Sequence, residues 1–316
     1  MNPLLNQDQY HFIKTNPDLN NIIYLVLSGS RAYGTTIETS DTDLRGVLIE
    51  PPQYMYGLKT FEQFEDLPTD TVIYGLRKFA GLLAKANPNA LELLGVDEDC
   101  IIKISPQGQL LRDNAHLFLS KRVISSFGNY ALAQLRRLQN ALYRDSYAAN
   151  EQLVHLQNTL ANQMDHFQRT YTSFPDGAIN IYSQDDTLKF DITLKDYPVS
   201  DFVGIYSELS SIVKSYSKLN YRNRKKSDKG LYKHAMHLIR LLITGMDILN
   251  GKGILTNRKD EHQLLMDIRN GKIPFDEIFM LVDEYQGRFE LAAKSTILPD
   301  EPDFSGIDGM LVGLYR

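Results

Sequence analysis

A glycine-serine pair, Gly29-Ser30, closes an apolar run, and two carboxylates one residue apart, Asp41 and Asp43, follow a short way downstream. At the start of a strand, side chains at i and i+2 share a face, so these two carboxylates could share divalent cations. Magnesium takes hard oxygen ligands and is commonly held by one or two carboxylates together with substrate phosphates; manganese suits the same oxygen ligands. With two ions, one activates an attacking oxygen while the other holds a departing phosphate chain. Gly29 would let backbone N–H groups approach phosphate oxygens, and Ser30 would add a hydroxyl donor. An isolated Asp-x-Asp fits a surface turn equally well, because aspartate is a common turn former. The Gly-Ser at the end of a buried run tips the reading towards metal and phosphate. Arg45, two residues beyond Asp43, falls on the same strand face and could pair with the carboxylates or with phosphate.

Two strands are expected to position these groups. Ile22 to Leu27 is continuously apolar and β-prone and stops at Ser28-Gly29-Ser30; Asp43 to Ile49 is the second, stopped by Pro51-Pro52. From Asp70 to Ala86, apolar residues at Ile73, Leu76, Phe79, Leu82 and Leu83 recur at helical spacing, and a second helix follows the Asn87-Pro88-Asn89 corner. Ser105-Pro106 reads as an N-cap with proline at the first helical position, opening a helix through about Asn114. Residues 123–172 lack proline and favour one long or two shorter helices; Ala178–Ser183 and Leu188–Leu194 read as a hairpin joined through Asp185-Asp186. Helices are then expected at about 200–219, 230–249, 259–270 and 275–295, followed by a loose acidic stretch from Pro299 to Asp303.

The motif Gly-Ser-x-x-Tyr-Gly at Gly29–Gly34, with Ser-Asp-x-Asp-x-Arg-Gly-Val at Ser40–Val47, resembles the DNA polymerase β nucleotidyltransferase superfamily. Within it, the chain is most similar to the predicted nucleotidyltransferase family linked to RNA repair pathways, the RlaP-like family. The likeness extends to Tyr74–Phe79, to Asn87-Pro88-Asn89 with Leu91–Leu94, and to Tyr232–Arg240. It implies an α+β fold: a polymerase β-like core, a small mixed sheet with flanking helices, plus a mainly helical C-terminal region. The expected division is a catalytic core over 1–120 and a mainly helical region over 121–316 with its hairpin near 178–195, binding nucleotide or acceptor. It further implies transfer of a nucleoside monophosphate from an NTP to an acceptor hydroxyl, an RNA end, with two Mg2+ or Mn2+ ions. A protein or small-molecule acceptor, or a non-catalytic NTP-binding module, is the alternative. The superfamily pattern calls for a third carboxylate, and the resemblance selects Asp70, with Glu62, Glu65 and Asp191 as competitors. The implied metal set is therefore Asp41, Asp43 and Asp70.

Between Lys214 and Arg240 there are nine Lys or Arg and a single acid, Asp228, in a chain with 34 Lys and Arg against 39 Asp and Glu. Lys233, His237 and Arg240 follow i, i+4, i+7 spacing and form a polar stripe, apart from an apolar stripe of Leu231, Ala235, Leu238 and Leu242. A solvated helix face is the plain reading; the resemblance makes the stripe a binding site for triphosphate or an RNA backbone. A net charge of −5 argues against a surface that grips nucleic acid everywhere. Cys100 is the only cysteine, which excludes an intramolecular disulfide and fits a reducing compartment, the cytoplasm by default. No apolar run reaches membrane-spanning length and the first residues lack signal-peptide character, so a soluble chain without membrane partners is expected.

Overall fold

A computed structural model describes residues 3–146, 164, 167, 171, 174–184, 187–222 and 228–315. The chain divides into two compact units, residues 1–136 with 232–316, and residues 137–231. The expected division at residue 120 is thus corrected: the C-terminal helices belong to the same unit as the sheet, and what separates is an internal segment.

The first unit is built on a five-stranded mixed sheet in the order β3-β4-β2-β1-β5. Strand β1, Ile22–Leu27, is apolar throughout because it is central, with antiparallel neighbours on both sides, β2 (Leu44–Leu48) and β5 (Ile101–Ile104). Strand β2 runs parallel to β4 (Thr71–Gly75), which in turn pairs antiparallel with β3 (Gln63–Asp66). Leu25, Leu44, Leu48 and Ile73 join Leu5, Tyr10 and Leu19 in a core on one side of this sheet.

The helical reading of 70–86 is corrected over its first part. Thr71 to Gly75 is strand, with alternating burial at period two, and the helix begins at Leu76. All of the first four residues there are β-branched or aromatic and gain ladder partners on both sides, which outweighs a helical spacing carried by Ile73 alone. β3 and β5, short and without strong alternation, were also not expected.

The helices are α1 (Phe12–Thr15), α2 (Gly29–Tyr33), α3 (Pro52–Tyr56), α4 (Leu76–Ala84), α5 (Pro88–Leu94), α6 (Pro106–Asp113) and α7 (Arg122–Ser146). They continue with α8 (Val199–Arg222), α9 (Asp228–Leu249), α10 (His262–Arg269), α11 (Phe275–Ser295) and α12 (Phe304–Leu314). The expected cap forms, Ser105 accepting from the Gly108 amide at 3.2 Å, and Asn87 at the polar corner caps α5 in the same way, accepting from the Ala90 amide at 3.2 Å. Of the helical stretch expected over 123–172, the part after Ser146 lies outside the described residues except at isolated positions.

The second unit contains the expected hairpin, β6 (Ile179–Gln184) antiparallel to β7 (Thr187–Ile192), and α8. Its core gathers Phe167, Phe174, Ala178, Ile179 and Ile205. The Asp185-Asp186 junction and Arg224, Lys225 and Lys226 of the basic run lie outside the described residues. No helix among the described residues is long and apolar enough to cross a membrane.

Candidate active site

The site forms where β1 turns into α2. Gly29 has φ +60°, a left-handed conformation that an L side chain adopts only at a cost, and a Cβ there would fall on Asp43 Oδ2. Glycine is therefore required twice over, once for the turn and once for the approach of the carboxylate. The Ser28 amide donates to the Asp43 carbonyl at 2.9 Å, tying the start of the turn to the residue that precedes β2. Ser30 is buried, and its carbonyl accepts from the Thr35 amide at 2.9 Å.

Asp43 and Asp70 stand at the heads of adjacent parallel strands, because Leu44 of β2 is in register with Thr71 of β4. The pairing brings their carboxyl groups into a hydrogen bond with each other. Burial, the hydrogen bond to Asp70 and the Asp70 charge push the Asp43 carboxyl up to about 6, against the pull of Arg45 and Lys233. Burial also disfavours the Asp70 carboxylate, but the hydrogen bond with Asp43 and the Arg45 guanidinium outweigh it and hold Asp70 below its ordinary value. Asp43 is the group that carries a proton most readily, and Asp70 the one that accepts it.

Asp70 itself is strained, with φ +44° on a residue that is not glycine. Arg45 holds it there: Nη2 donates to Asp70 Oδ1 at 2.9 Å and Nη1 to the Asp70 carbonyl. The competing acids are placed elsewhere. Glu62 pairs with Lys78 at 2.6 Å, Glu65 receives the Gln63 amide, and Asp191 is on β7 in the second unit.

Asp41 is exposed and lies before β2, as does Asp43, so the period-two argument for a shared face does not apply to them. Among the described residues no three His, Cys, Asp or Glu side chains converge as a ready-made metal cage. The Asp43–Asp70 pair nonetheless fits a hard divalent cation. Two carboxyl groups forced together, one made reluctant to ionise, present oxygen ligands whose repulsion a cation relieves.

The stripe on α9 is not a single solvated row. Lys233 is exposed, His237 half-buried and Arg240 buried. Lys233 lowers the cost of ionising both Asp43 and Asp70. The His237 ring meets the Tyr33 ring edge-on at 5.9 Å between centroids. Burial first, then the charges of Arg240, Lys233, His234 and Arg269, hold its imidazole well below the ordinary histidine range, so it is neutral at pH 7. Arg240 is corrected from a ligand-facing residue to a buried, paired one. It is 3% exposed, ion-paired with Glu92 at 2% exposure, and its guanidinium lies 3.5 Å from the centre of the Tyr33 ring. The Tyr33 hydroxyl closes the triangle by donating to the other Glu92 oxygen at 3.1 Å. Because α9 is buried almost all round from Leu238 onward, an arginine there must bring its own counter-charge.

A family model described as RNA repair pathway DNA polymerase beta family, RlaP, matches residues 5–312. The chain belongs to this family. No curated protein and no solved structure matches it.

In this RlaP chain the segment after α9 also grips the motif, which the sequence reading missed. Thr256 donates to the Glu92 carbonyl at 2.6 Å, and the Arg258 amide reaches the Tyr33 carbonyl at 3.5 Å. Gly34, at φ +71°, lies so close to Asn257 that a Cβ would be 2.5 Å from its Oδ1. Arg269, at the end of α10, donates to the Thr35 carbonyl at 2.6 Å and to Ser40 Oγ at 3.1 Å, bridging the loop between the two halves of the motif. The available signal was a polar stretch, Thr256-Asn257-Arg258, just after a helix apolar on nearly every side. Such a stretch has to find buried partners.

Proposed function

We propose that this RlaP protein is a metal-dependent nucleotidyltransferase that moves a nucleoside monophosphate from an NTP to the hydroxyl of an RNA end. The observation that supports this best is the Asp43–Asp70 carboxyl pair set against the bare backbone of Gly29. Strand pairing, a glycine with no side chain and a strained Asp70 all serve to bring two acids together, at a cost that folding alone does not require.

In the reaction, the acceptor oxygen forms a bond to the α-phosphorus while the bond from that phosphorus to the bridging oxygen breaks, and pyrophosphate leaves with the electron pair. The hydroxyl proton passes to the carboxylate pair, Asp70 being the member that stays ionised. Mg2+ or Mn2+, when bound by Asp43 and Asp70 with Asp41 nearby on the loop, supplies charge neutralisation for the triphosphate; two ions are expected. The chain's own contribution is position. Gly29 and Ser30 line the turn, Arg45 fixes Asp70, and Lys233 adds a positive charge opposite both carboxylates.

The test is incubation with each labelled NTP, Mg2+ or Mn2+, and RNAs with different end groups, repeated with Asp43→Asn and Asp70→Asn. Label in RNA that disappears with either variant supports the proposal. Label on protein instead moves the acceptor assignment to protein, and no transfer with any NTP, metal or acceptor rejects the reaction.

A further inference from the structure

Among the described residues of the first unit, three arginines are buried: Arg240 at 3%, Arg258 at 3% and Arg269 at 8% exposure. Two of them carry counter-charges. Arg240 has Glu92, and Arg258 has Asp247 at 2.6 Å and Glu261 at 3.2 Å. Arg269 has none: among the described residues its guanidinium reaches only a carbonyl, of Thr35, and a hydroxyl, of Ser40. Burial pulls its pKa below the ordinary arginine value with no opposing carboxylate. An unpaired buried charge costs several kcal/mol, so proteins seldom keep one unless something charged visits it.

Its surroundings add to the excess. Arg269 binds Thr35, His237 and Arg240 pack on Tyr33 two residues earlier, and Lys233 lies one turn before His237 on α9. Glu92 is spent on Arg240. The Thr35 hydroxyl and Arg240 Nε are both buried without a hydrogen-bond partner among the described residues. Around Tyr33 and Thr35 donors are in surplus and Glu92 is already paired, while Asp43 and Asp70, the acids on the Lys233 side, are the pair proposed to hold metal.

We infer that Arg269, with Lys233 and His237, forms an anion subsite that takes a phosphate group of the substrate. A guanidinium with two N–H groups already fixed by Thr35 and Ser40 keeps others for phosphate oxygens, in the planar geometry that suits them. Neutral His237 contributes an N–H without adding repulsion, and exposed Lys233 marks the open side. The carrier of that phosphate, the NTP tail or a phosphorylated RNA end, rests on the reaction proposed above; anion binding itself does not.

Isothermal titration in EDTA, without metal, separates the two. Inorganic tripolyphosphate is expected to bind the wild-type chain and to lose about tenfold in affinity with Arg269→Gln, while Arg269→Lys retains part of it. Lys233→Gln, at an exposed position that folding tolerates, should weaken binding about threefold. The wild-type melting temperature should rise with tripolyphosphate and not with sodium chloride of equal ionic strength. Comparing ATP with short RNAs ending in phosphate or hydroxyl identifies the carrier. Tripolyphosphate that neither binds nor stabilises the wild type at ~10 mM overturns the subsite, whatever the variants do. Equal affinity in folded Arg269→Gln overturns it too, and should that variant fail to fold, unchanged binding by Lys233→Gln does the same. Asp43→Asn should abolish transfer and leave metal-free anion binding at least as strong, since it removes a negative charge that faces Lys233, so failure of the reaction is distinguishable from failure of the site.

Discussion

Asp43 Oδ2 occupies the place where a side chain on residue 29 would begin. Gly29→Ala therefore collides with the carboxylate and also meets the backbone cost of φ +60°. The expected result is a loss of about 1–3 kcal/mol in urea unfolding and a fall of about a hundredfold or more in NTP transfer, because a displaced reacting group is costly. Ser30→Ala, one residue on, should cost less than Gly29→Ala in both measurements. Transfer by Gly29→Ala within a few-fold of wild type would mean the carboxylate's position is not what the glycine protects.

Asp70 stores backbone strain next to like charge, held by Arg45. Asp70→Gly relieves the strain but also gives up the Arg45 ion pair that keeps this carboxylate ionised, so the two effects oppose and the melting temperature should move by the equivalent of no more than ~1–2 kcal/mol, while transfer falls to background. Calorimetry paired with the labelled-NTP assay checks it. A variant that is both active and unstable would reverse the assignment.

How far the site could be read beforehand follows from what each residue needed. Gly29 and Asp43 were legible because a buried apolar run ending in Gly-Ser, then a short-range carboxylate motif, is a local pattern. Asp70 was reached through a family likeness, and its neighbour β4 was read as helix, although parallel pairing of β2 with β4 is what carries Asp70 to Asp43. Non-local pairing leaves no periodic mark in five residues. The roles of Arg240 and Arg269 were hidden for the same reason: a cation on a helix reads alike whether it meets solvent, Glu92 or the Thr35 carbonyl. The unit division was hidden because the C-terminal helices return to a sheet formed by residues 22–104.

The Arg240–Glu92 pair has a stability signature. Arg240→Met strands a buried carboxylate and is expected to cost about 3–5 kcal/mol, whereas Glu92→Met with Arg240→Met should recover much of that loss. The coupling in a double-mutant cycle by urea unfolding should be at least ~2 kcal/mol in magnitude. Additive single effects would show that the two charges do not depend on each other.

His237 gives the fold a pH dependence of definite sign. Its folded-state pKa is held well below 6.5, mainly by burial, so the unfolded chain takes up its proton first as pH falls. Stability from this group is complete above the unfolded value and drains away as pH drops below about 6.5, with a slope of up to ~1.4 kcal/mol per pH unit. Asp43, pushed up to about 6, works in the opposite sense, since its carboxyl is more comfortable protonated in the folded chain. The two must be separated by comparison. His237→Phe, which keeps an aromatic edge against Tyr33, should lose less stability than wild type between pH 7 and pH 5 in urea unfolding. Parallel curves for the two proteins over that range would show that His237 charges in the folded state as freely as in the unfolded one, contrary to its packing between Tyr33 and the neighbouring cations.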